Sequence, residues 1–158
     1  MKVFMSRSSR RGFLLIAALG LSMWMGCGPT ARPQLPEERN LKALAVLVGQ
    51  YRSKHQGKSP PNLEALKAFV ANADANSLKV LNIEPHEVER LFVSSRDHKP
   101  YVYRPSPSGA PKIGSDGKPV QHVLFHEADG IGGKRWVAYD LGGTELVDDA
   151  KFGQLISK

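Results

Sequence analysis

The stretch FHEADGIGGKRWVAYDLGGTELVD, residues 125–148, decides the fold. It sets His126 beside Glu127, with Asp129 and Asp140 nearby, among five glycines. Read as chemistry it is a site; read as backbone it is two strands and their turns. Strand geometry favours the backbone. Neighbours in a strand point to opposite faces, so His126 and Glu127 diverge. His122 and His126 are expected to share a face, roughly 13 Å apart, too far for one zinc with ligand bonds of about 2.0–2.3 Å. A metal would need His126 with Asp129 and a third ligand, which no recognisable spacing supplies. The glycines contain neither a dinucleotide fingerprint nor a P-loop, and Gly130, Gly132 and Gly133 are expected to supply positive φ in a turn. Trp136 is expected in the core, packed over the first helix.

Working outward, VQHVLFHE (120–127), KRWVAYD (134–140) and TELVD (144–148) are three strand-like runs, joined by Gly-rich turns. A short strand is expected at Tyr101–Tyr103, and 106–119 is an irregular Gly/Pro/Ser loop. Asp116 is the only acid in that loop, whereas calcium takes six to eight oxygens, so no ion is expected there. DDAKFGQLI (148–156) closes as an amphipathic helix with Phe152, Leu155 and Ile156 on one face. Toward the N-terminus the period changes. Leu41, Leu44, Ala45, Val48 and Tyr51 recur at helical spacing, with Gly57 as the stop. A second helix is capped by Asn62 and turns Leu63, Leu66, Phe69 and Val70 inward, and a third short one covers EPHEVERLF with Pro85 in its first turn. A long helix, short helices and then an antiparallel meander make an α+β fold.

This order, with the run from Tyr51 through GKSPPNLEAL to Leu66 and the pair Asp97 and PYVY (100–103), resembles the globular region of type II secretion pseudopilins over roughly residues 40–147. The resemblance implies a pseudopilin-like fold. It does not extend to the related group marked by His, nine residues and Asp-Gly, because Asp140 is followed by Leu141.

The chain carries 22 Lys and Arg against 15 Asp and Glu, a net +7. Lys2, Arg7, Arg10 and Arg11 fall before residue 27, a stretch without acids, so the remainder is only +3. That is an ordinary surface, and no nucleic-acid partner is expected. Residues 1–26 read as a signal peptide: a basic start, then an apolar stretch of 13 residues from Phe13 to Met25. A spanning helix needs about 20. The only cysteine follows at once. WMGC resembles a lipobox, with Gly26 in the small-residue position and Trp24 and Met25 departing from the usual pattern. The resemblance implies a bacterial lipoprotein acylated at Cys27. SRRGFLL (9–15) is similar to the twin-arginine export motif, which implies signal recognition through Arg10 and Arg11. A prepilin cleavage site is excluded, since Ala17 stands where prepilins carry Glu and Pro29, Pro33 and Pro36 are expected to stop the helix.

Residues 27–38 then form a Pro-rich tether and 39–158 the domain. The expectation is a non-catalytic, lipid-anchored domain in the cell envelope, facing the periplasm or exterior. It is of structural or assembly type, beside a secretion or pilus-like machine, held to the membrane by its N-terminal lipid and meeting an envelope protein. No cofactor and no metal are expected. One alternative is a small-ligand or peptide binding module using His122, His126 and Asp129; another is a metal-dependent hydrolase.

Overall fold

A computed structural model describes residues 34–107 and 112–157. Signal peptide, Arg10, Arg11, Cys27 and most of the tether lie outside the described residues. The long helix α1 runs Pro36–Lys54, three residues earlier than the expected domain start. Pro36, expected in the tether, is its first residue. The missing N–H is no loss there, because the first turn has no intrahelical acceptor to offer, and the fixed φ already suits a helix. Glu37 and Glu38 follow in the first turn, where the helix dipole favours acids. Glu37 is itself buried and accepts a hydrogen bond from Ser95 Oγ, so the expected end of the tether belongs to the folded domain. Leu41, Leu44, Leu47 and Val48 make the buried stripe. Chain reversal follows with Gln56 and Gly57 both at positive φ.

Helix α2 is Leu63–Ala71, and Asn62 Oδ1 accepts from Ala65 N at 2.9 Å as a cap should. The sequence reading missed α3, Ala75–Val80, whose cap is Asp74 accepting from Ser77 N. The expected third helix is a 3-10 turn, Pro85–Glu87, running into one turn of α-helix, α4, Val88–Leu91. Among the described residues no helix is long and apolar enough to cross a membrane.

Four antiparallel strands follow in sequence order: β1 Val102–Tyr103, β2 Val123–His126, β3 Lys134–Tyr139 and β4 Gly143–Asp148. The fold is therefore α+β. The closing helix α5 is Asp149–Ile156, capped by Asp148. Alternation along β3 divides the core in two. Trp136 and Ala138 join Leu41, Leu44, Leu47, Leu66, Phe92 and Tyr101 on the α1 side. Val137 and Tyr139 join Val123, Val147 and Phe152 on the α5 side.

One turn and one bulge set the meander. Ile131 and Lys134 exchange both backbone hydrogen bonds around Gly132 and Gly133, whose φ values are +62° and +67°. Positive φ at both central positions matches the right-handed twist of the flanking strands. Gly130, also at positive φ, is constrained by space: a Cβ there would lie 2.5 Å from Lys134 O. In β2 the register to β3 shifts between Val123 and Phe125. This bulge puts Leu124 and Phe125 both in the α1-side core and changes the alternation by one residue.

Candidate functional site

The bulge separates the expected ligand group. One extra residue between positions 122 and 126 places them on opposite faces, so the expectation that His122 and His126 share a face is corrected. His122 continues the ladder instead: its N–H donates to Asp140 Oδ1 at 3.0 Å and its carbonyl accepts from Asp140 N. His126 lies on the α5 side, buried, with ring centroids 4.8 Å from Phe152. Its Nδ1 donates to the Glu127 carbonyl at 2.8 Å. Burial holds its pKa below the ordinary value; the Glu127 carbonyl opposes this, and the charges of Arg135 and Arg104 reinforce it. Asp129 is exposed and paired with Lys99. The three proposed ligand-binding residues thus have separate partners. Among the described residues, no three His, Cys, Asp or Glu side chains gather as a metal site.

His126 and Glu127 do diverge, and Glu127 leads to a group the sequence reading did not assemble. Its carboxylate is fully buried. Oε1 accepts from Ser94 Oγ at 2.8 Å; Oε2 accepts from Arg96 Nη1 and from Trp136 N, each at 2.8 Å. Arg96 also reaches Ile131 O at 3.3 Å. Asp97 ties the same two loops through backbone: Oδ2 accepts from Asp129 N at 3.1 Å and Gly130 N at 3.2 Å, and Oδ1 from Lys99 N. Burial works to raise the Asp97 pKa, but the amides of Asp129, Lys99 and Gly130 outweigh it and hold the carboxyl below its ordinary 3.8. Behind them Tyr101 is buried, its pKa raised by burial, then by Glu127 and Glu37. A buried carboxylate with three donors is compensated, and losing its cation would cost about 3–5 kcal/mol. These residues therefore pin the 94–99 turn to the β2–β3 turn. An acid buried this way, with both oxygens engaged, has no face open to a substrate.

Open volume lies elsewhere. A groove of about 620 Å³ runs between the N-terminal half of α1 and the 3-10 turn with α4. Pro36, Arg39, Asn40 and Ala43, spaced as one helical face, form one wall. Ile83 and Leu91 give apolar surface, while Arg90 and His98 lie on the other wall. Among the described residues neither Arg39 nor Arg90 has an ion-pair partner. The signal for this wall was present in Arg39 and Asn40, on a second face of α1 beside the apolar stripe. Assigning Pro36 to the tether hid it.

Comparison with known proteins finds no matching protein family, no similar curated protein and no similar solved structure.

Proposed function

We propose that this chain is a non-catalytic, lipid-anchored domain of the cell envelope whose task is structural or assembly-related, and that the groove beside α1 receives its protein partner. The observation carrying this reading is the groove's place at the start of α1, the end that the tether enters. Extended chain from Cys27 to Pro36 reaches at most about 30 Å. Acylation at Cys27 would keep the groove within that reach of the bilayer, where an envelope machine has its own membrane parts. Two further features support an interaction role. The polar residues of the β2–β3 region bond to one another and brace the fold. The order of elements, a long helix, short helices and an antiparallel meander, also resembles that of pseudopilins.

The full chain should label with palmitate and fractionate with membranes, and Cys27→Ser should do neither; an unlabelled wild type would sink the anchor. In mild detergent the chain should migrate within an assembly larger than itself. Asn40→Trp, which fills the groove from its α1 wall, should return it to the size of the free chain. A folded Asn40→Trp protein that still assembles would remove the groove from the proposal. The volume favours one other reading, since small-ligand pockets span about 300–1,000 Å³. A bound small molecule would raise the melting temperature without changing migration.

A further inference from the structure

Helix α5 closes the second face of the sheet by unusual means. Its buried side chain, Phe152, touches both the His126 ring, edge-on, and the guanidinium of Arg135, 4.2 Å from the Phe152 centroid. Arg135 Nη2 also donates to Asp149 Oδ1 at 2.9 Å, holding the start of α5. Arg104 donates from both Nη1 and Nη2 to Ile156 O at 3.3 Å, holding its end. Lys151 pairs with Glu145 of β4.

Among the described residues, the charged groups around His126 each have a partner. From β3 it faces Arg135, and from the segment after β1 it faces Arg104. From α5 come Asp149, paired to Arg135, and Lys151, paired to Glu145. Its partner in β1 is the apolar Val102. On its own strand the adjacent carboxylate, Glu127, turns away to Arg96. Because Nδ1 already donates to the Glu127 carbonyl, an added proton must enter at Nε2. It would bring a third positive charge beside two guanidiniums.

We propose that His126 is a proton-operated latch for α5: the neutral ring seats Phe152, and the charged ring releases the helix and uncovers Val123, Val137, Tyr139 and Val147. The sign follows from which state prefers the proton. Burial and the two arginines depress the folded pKa below 6.5, so the undocked state binds the proton more readily. Docking is therefore intact above 6.5 and weakens as pH falls through the lower, folded value.

Amide hydrogen exchange on the full chain at about pH 7.5 and about pH 5.5 tests this, compared as protection factors to divide out the intrinsic effect of pH. Protection of the α5 amides should fall several-fold at the lower pH while that of α1 holds. His126→Phe keeps a ring against Phe152 and should abolish the change. Equal loss in α1, no loss in α5, or the same loss in His126→Phe would each overturn the latch. Should His126→Phe not fold, the wild type still decides: the His126 ring and the α5 amides must titrate together, with a midpoint below 6.5.

Discussion

The two faces of the sheet are covered differently. On the α1 side Leu41, Leu44, Leu47, Leu66, Phe92, Leu124 and Phe125 interlock from helices, a loop and strands, nearly all fully buried. On the α5 side four buried residues of the sheet are covered by Phe152 of one short helix, whose seat depends on Arg104, Arg135 and His126. Hydrophobic burial is insensitive to pH and ion pairs are not, so the first face should set whether the domain folds. The second should set how its surface responds to conditions.

The same substitution on each face gives the largest contrast. Leu44→Asp buries an unpaired charge in the thick core and should abolish the cooperative melt, a loss of more than about 4 kcal/mol. Phe152→Asp should instead free α5, leaving far-ultraviolet circular dichroism near that of the wild type and a melt that remains cooperative. Should Phe152→Asp unfold the whole domain, the two faces would be one cooperative unit.

A smaller contrast lies in the turn between β2 and β3. Gly132→Ala meets open space and suffers only from positive φ, which should cost about 1 kcal/mol in a denaturant midpoint. Gly130→Ala adds a clash with Lys134 O and the Arg135 side chain to the same strain, and should cost clearly more. Equal midpoints would mean that the turn shifts freely and does not hold the sheet.

The smallest effect is at Asp97. Its depressed pKa contributes stability that is present above 3.8 and lost as pH falls through the lower folded value. Asp97→Asn should flatten the acid limb of stability against pH below 3.8 and leave the region just below 6.5, where the His126 linkage begins, unchanged. A change confined to that region would assign the linkage to the wrong face.

Local features were legible because neighbours in sequence create them. The Asn62 cap, the positive φ of Gly132 and Gly133, and the alternation of β3 each follow from a few adjacent residues. Trp136 could be assigned to the core because a large aromatic dominates a small core. Pro36 was misread because its ring both blocks a helix interior and suits a helix start, and burial of the chain beyond it selects between them. His122 and His126 were misplaced because a bulge at Leu124 leaves no mark in strand periodicity.

The sequence by itself determined the class of fold: helical period over residues 41–51, strand period from 120 to 148, and turns at the glycines between them. It also carries the lone Cys27 after a short apolar run, on which the proposed anchor depends. Tertiary structure decided the partners. Glu127 meets Arg96, 31 residues away, and Phe152 meets His126 and Arg135 across the sheet. A side chain's sequence neighbours set its local direction. Which charge it finally faces depends on register and on the docking of elements, where long-range burial outweighs local preference.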